Sequence, residues 1–298
     1  MFFKNLQLYR LPVPWPMTAA ALADALGSQA FAPASSNELL RQGWASPREN
    51  GQLVHAVNGQ FLLRLASQKK ILPAKAVMEA AKAMADALEE QQGFRPGKKA
   101  MKELKERAAD EMLPRAFAVT SHTNVWIDPE HGWLVVDAAS SSKADDVVKQ
   151  LLKAVDRMPL ESLRVQSSPV AAMTGWLESD EAPYNFTIDK DAELRATGES
   201  KAAVRYVRHT LEPGDVGAHI AAGKQCTRLA LTWNSRISLV LTEQLAIKSI
   251  KPLDVLREND SITHSSDERF DSDFALMSGE LAKLLADLVE ALGGEARG

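Results

Sequence analysis

The chain has 298 residues, 45% of them hydrophobic and 25% charged, enough apolar material for one large domain or two modest ones and unlike a disordered chain. Its single cysteine, Cys226, excludes an intramolecular disulfide framework and fits a reducing compartment. The formal net charge of −4 argues against a uniformly basic nucleic-acid binder, but it averages over a surface that can be polarised. No apolar run approaches the roughly 20 residues that span a bilayer. The N-terminal MFFKNLQLYRL lacks the pattern of a secretory signal, so a cytoplasmic protein is expected.

In chain order, residues 3–11 read as a strand that ends at the prolines 12, 14 and 16. A short helix follows over 18–26, with Thr18 placed to cap it. In 53–66, Asn58-Gly59 separates two apolar runs and suits a type I′ hairpin turn. The spacing of Val77, Ala81, Met84 and Leu88 predicts a helix over 73–92 that starts at Pro73 and breaks at "GFRPG" (93–97). A second helix over 98–112 places Met101, Leu104 and Ala108 on one stripe and Lys98, Lys102 and Lys105 on its neighbour. "NVWID" and "WLVVDA" around "PEHG" read as a further hairpin, and 140–156 as an amphipathic helix capped by serine. The second half mixes a helix near 169–178, a strand over 202–211, a short helix closing at Gly223, and strands 227–233, 237–242 and 245–251 as an antiparallel meander. A closing helix over 273–292 ends at Gly293-Gly294. The fold class expected is α+β: antiparallel sheets with packed helices and a protruding helical hairpin. The division expected is 1–72 with 118–166, an inserted tip 73–117, and a base 167–298.

Enzyme signatures are poor. "GKQCT" resembles the end of a phosphate loop, but Ala218 stands at the first-glycine position and Gln225 at the hydroxyl position; a helix end followed by a strand is the plainer reading. The six histidines, at 55, 122, 131, 209, 219 and 264, show no ligand spacing. Asp128, Asp137, Asp271 and Asp273 could converge on magnesium, with capping of the last helix as the simpler role for Asp271 and Asp273. Cys226 heads an apolar strand and reads as an inert core thiol.

Charge, by contrast, is segregated. Residues 64–115 carry 12 Lys and Arg against 8 Asp and Glu. Lys69 and Lys70 follow a hairpin; Arg95, Lys98, Lys99, Lys102 and Lys105 sit on or near the paired helices. In "SKAAVRYVRHTLE", strand alternation puts Lys201, Arg205 and His209 on one face and Tyr206 and Arg208 on the other. Such rows meet phosphates without reading bases, although a solvated face would look the same. In "EMLPRAF", Arg115 and Phe117 flank a turn at Pro114 and could be a buried hinge, a partner-binding knob or a ligand grip.

Several stretches together, "MFFKNLQLYRL", "QGWASP" (42–47), "HAVNGQ", "KKILP" (69–73), "MLPRAF" (112–117), "VWID" (125–128), "AGK", "RFDSDFALMSGELA" and "EALGGEA", resemble the recombination-associated protein RdgC family from the first residue to the last. The resemblance implies a nucleoid-associated DNA-binding protein without enzymatic activity or cofactor. It also implies a curved subunit that closes as a ring-shaped homodimer around duplex DNA with little sequence preference and antagonises RecA-promoted strand exchange; single-stranded DNA is a further candidate. Phe117 matches a family phenylalanine that inserts into a pocket of the partner subunit, with Pro114 ending the basic helix beside it and Arg115 near that interface or the lumen. Lys224 joins the basic set. Two departures stand out: the family's lysine-rich run ending in an amide reads Val207, Arg208 and His209 here, and the 93–99 loop differs in length and composition. The alternative is a protein-interaction module that docks on a recombinase; an undetected hydrolase or nuclease comes third.

Overall fold

The computed structural model describes residues 2–198, 201–257 and 265–296. The first half runs β1 (Leu6–Arg10), α1 (Ala19–Gly27), β2 (Leu40–Ala45), β3 (Val54–Val57), β4 (Gln60–Lys70), α2 (Ala74–Gln92), α3 (Lys98–Met112), a 3-10 turn (Leu113–Arg115), β5 (Ala118–Asp128), β6 (Trp133–Asp137), α4 (Ser141–Ala154) and the short β7 (Glu161–Ser162). The second half runs α5 (Pro169–Ser179), β8 (Phe186–Ala196), β9 (Ala203–Tyr206), α6 (Pro213–Ala221), β10 (Lys224–Trp233), β11 (Ile237–Thr242), β12 (Ile247–Pro252), α7 (Asp254–Arg257) and α8 (Ser266–Ala291). The fold is α+β on one large antiparallel sheet, ordered β2-β4-β5-β6-β1-β12-β11-β10-β8-β9, with β3 on β4 and β7 on β1. The two halves meet edge to edge where Leu6 of β1 faces Ile247 of β12.

Local chemistry explains where most elements begin and end. Asn58 (φ 49°) and Gly59 (φ 76°) make the expected turn between β3 and β4. Thr18 accepts the Ala21 N–H at the start of α1, and Ser140 that of Lys143 at the start of α4. Gly93 ends α2 in the left-handed region at φ 78°. α2 and α3 then pack on each other through small residues, with Ala81, Ala85 and Ala108 buried.

Alternation along the strands divides the core. Leu62, Trp126 and Val135 face a cluster that spans both halves and is covered by α5, α6 and α8. Leu63, Val125, Ile127 and Leu134 face a second cluster under α1 and α4. In the second half, among the described residues, the face opposite α8 has no such helix: Arg195, Arg205, Arg228, Lys248 and Lys251 stand there, on the side opposite Ile237, Leu239 and Leu241.

Three expectations need correcting. The last helix begins at Ser266, because Ser265 and Glu268 form a reciprocal capping box there. Asp271 and Asp273 therefore lie inside the helix; Asp271 pairs with Arg48 at 2.9 Å. The strand expected over 202–211 ends at Tyr206, since Arg208 turns to φ 52° and donates its N–H to Asp191; the alternation of Lys201, Arg205 and His209 does not extend through it. Strands β2, β7 and β8 have no counterpart in the sequence reading.

Candidate nucleic-acid interface

The predicted basic residues fall into three groups. On α3, Lys98, Lys99 and Lys102 are exposed and Lys105 is half-buried, with Arg95 exposed in the preceding loop. Lys98, Lys102 and Lys105 line a groove of about 350 Å³ with Pro96, Gly97 and Met101. Lys102 lies 3.7 Å from Glu106, both well exposed. Such a pair is worth little in water, so it leaves the lysine available.

The second group sits where α3 meets the sheet. Lys69 is exposed on β4. Lys70 is not: it is buried, and its Nζ donates to the carbonyls of Ser36 and Leu113, the latter at 3.0 Å. Its charge ties β4 to the end of α3 and is withdrawn from any external phosphate. Leu113 stays helical (φ −54°, ψ −44°) although it precedes Pro114, which sits in the 3-10 turn, and the backbone becomes extended only at Ala116 (ψ 138°). Arg115 is exposed. Phe117, which could have been a core residue at the strand root, is 87% exposed. Its carbonyl accepts the Ile71 N–H at 2.8 Å, so its backbone is pinned while its ring is bare. Beside it lies a cleft of about 440 Å³ lined by Ile71, Leu72, Ala80, Met84, Ala108 and Met112.

The third group lies at the far end of the sheet. Arg205 of β9 faces Glu193 of β8, and its Nε donates to Glu193 Oε2. Arg195 donates its Nε to Oε1 of the same carboxylate at 2.6 Å. Burial pushes the Glu193 carboxyl up, but the hydrogen bonds and charges of Arg195 and Arg205 outweigh it and hold the group below the usual carboxylate range. Lys201, Arg208 and His209 are exposed, and Lys224 is half-buried at the start of β10.

Sequence reasoning missed Arg195, Arg228, Lys248 and Lys251. Arg195 and Arg228 follow strand alternation once β8 is known, whereas Lys248 and Lys251, three residues apart, share a face only because β12 is irregular at Ser249 (φ 54°). It also missed Arg64 and His122 on β4 and β5, on the same face as Leu62 and Trp126. Arg64 Nε donates to Asn124 Oδ1 at 3.0 Å. Burial and then the Arg64 charge hold the His122 imidazole below its ordinary value.

The remaining motifs are accounted for. Gly223, at φ 81°, turns the chain from α6 into β10. Cys226 is fully buried and its thiol is pushed up to about 12 by burial above all, as an inert core thiol requires. Asp128 is buried and accepts the Glu130 and His131 N–H groups at the β5–β6 turn. Among the described residues no three His, Cys, Asp or Glu side chains gather as a metal-ligand group, and no helix is long and apolar enough to cross a membrane. His264 lies outside the described residues.

By fold and surface this is an α+β protein on a single antiparallel sheet, with basic side chains clustered at both ends of that sheet. Residues 1–295 match the family model described as "Putative exonuclease, RdgC", and the chain belongs to the RdgC family. Proteins named "Recombination-associated protein RdgC" from Janthinobacterium sp. (strain Marseille) and Herminiimonas arsenicoxydans are each 60% identical to it over 296 residues, 99% of both chains. The protein of that name from Bordetella pertussis is 56% identical over 298 residues, the full length of both. The family description speaks of an exonuclease, the names of the relatives of recombination.

Proposed function

We propose that the chain is a DNA-binding protein of homologous recombination that encloses duplex DNA as a ring-shaped homodimer, meets the phosphate backbone without reading sequence, and antagonises RecA-promoted strand exchange without cleaving the DNA. The observation that carries this reading is Phe117, bare on a fixed backbone beside an apolar cleft. With Ile71, Leu72, Met84 and Met112 of the cleft, the exposed ring forms one continuous apolar patch, the kind of surface that a partner covers. A two-fold contact in which each subunit's Phe117 enters the other's cleft uses one surface twice, as a self-complementary interface does. α2 and α3 are the protruding tip that brings the two surfaces together, and Lys98, Lys99 and Lys102 beside them face the enclosed duplex. The location that follows is the cytoplasm, on the nucleoid.

Covering one phenylalanine contributes on the order of 1.5–3 kcal/mol, so Phe117→Ala weakens closure about tenfold or more per contact. The test is retention of circular duplex by wild type and Phe117→Ala, with sedimentation for the dimer and circular dichroism for the fold. Loss of retention with an unchanged fold is expected; unchanged retention and dimer closure would remove the ring. The exonuclease in the family description is tested by incubating linear duplex with protein and magnesium: shortening of the DNA overturns the non-cleaving reading.

A further inference from the structure

One carboxylate at the far end of the sheet is shared by more arginines than an ion pair needs. Glu193 is 3% exposed. Its cross-strand neighbours are Arg205 on β9 and Arg228 on β10, with Arg195 two residues along its own strand. Arg195 and Arg205 each give an Nε to a different oxygen of Glu193, while 48% and 63% of their side chains remain exposed. Arg228 is exposed as well. Neutralising a buried carboxylate takes one guanidinium; two bond to Glu193, and Arg228 adds a third positive charge on the neighbouring strand. A guanidinium has five N–H donors in a rigid fork, and binding through Nε fixes its plane without using its far end. Strands lie about 4.8 Å apart, so the three arginines cover a patch about 10 Å across, on a sheet face over which no helix of the described residues lies.

We infer that Arg195, Arg205 and Arg228 form a second phosphate-contacting site for the nucleic-acid backbone, apart from α3, and that Glu193 is its positioning residue. This rests on the duplex-binding reading above. Glu193 orders the forks of Arg195 and Arg205 so that their terminal N–H groups meet phosphate oxygens in pairs, as guanidinium groups do, and Arg228 supplies a third contact beside them. Bulk electrostatics makes the opposite forecast, since removing a negative charge from a DNA-binding face should tighten binding. The sign of one substitution therefore separates the two.

The experiment measures binding of the full-length protein to one short duplex across about 0.05–0.3 M salt. Glu193→Gln keeps the shape and removes the charge; it is expected to weaken binding several-fold, with Glu193→Asp recovering part of the loss. Arg228→Ala, at an exposed side chain that leaves the core intact, is expected to lower the slope of log affinity against log salt by about one. Equal or tighter binding by Glu193→Gln overturns the positioning role. An unchanged slope in Arg228→Ala overturns the site, and this variant decides the matter should Glu193→Gln unfold. A wild type with no salt-dependent duplex binding would instead overturn the underlying reading.

Discussion

On α3, Lys98, Lys99 and Lys102 stand exposed on flexible stems, one of them 3.7 Å from a glutamate that is also exposed; at the far end of the sheet, Arg195 and Arg205 are tied to a carboxylate that is itself buried. Both regions are basic, yet they hold their charge differently. The helix offers strongly hydrated point charges that lose rotamer freedom on meeting a phosphate. The sheet offers planar forks whose orientation is set before any ligand arrives. The first arrangement suits sequence-independent attraction at a distance, the second a contact of defined geometry.

The comparison breaks most readily at α3. Replacing Lys98, Lys99 and Lys102 together by alanine is expected to lower duplex affinity by tens- to a hundred-fold at about 0.1 M salt, with a fall of about three in the salt slope. Mobility shifts across salt check this; a slope that stays at the wild-type value moves the binding surface elsewhere. Lys70 sharpens it from the other side. Lys70→Met leaves the carbonyls of Ser36 and Leu113 without their donor, at a cost of about 1–3 kcal/mol in stability. Thermal unfolding should shift downward while the salt slope remains that of wild type, because this lysine meets no phosphate.

The smallest effect is at the contact between the two halves. His55 is buried, 3.1 Å from Asp271 without a well-aligned hydrogen bond, and its ring meets Phe270 edge-on at 5.1 Å. Burial, above all, holds its imidazole below the ordinary value; Asp271 pulls it up, while Arg48 pushes it further down. A histidine depressed in this way takes up its proton more readily when unfolded. Its contribution to stability is therefore complete above the unfolded value of about 6.5 and is lost as pH falls through it. Urea unfolding at pH 7.5 and 5.5 should show a smaller loss for His55→Gln than for wild type; equal losses would assign the pH dependence to other groups.

Much of the fold could be read without coordinates wherever local signals agreed. The two helices beginning at residues 74 and 98 end where glycine, proline and the apolar stripe say they should, and the hairpin at Asn58-Gly59 follows from two residues that tolerate positive φ. β2 (LRQGWA) and β8 (FTIDKDAELRA) were missed: they carry polar residues where a strand is usually apolar, and only their neighbours in the sheet make them strands. The site divides in the same way. The lysines of α3 were legible because a helix brings residues three and four apart together. Lys70 was misread because no local pattern tells a lysine that reaches inward from one that reaches out. Arg195 and Arg228 went unseen because they meet across strand pairings whose partners lie tens of residues away.

By itself, then, the order of residues determined the class of the fold, most helix boundaries, the family and the exposed basic helix, since each depends on period, capping or a string of matched stretches. Only the tertiary structure decided that Phe117 is bare, that Lys70 is spent inside the protein, and that two arginines share one carboxylate with a third on the neighbouring strand. Burial and cross-strand register are properties of segments distant in sequence, and no window along the chain contains both partners.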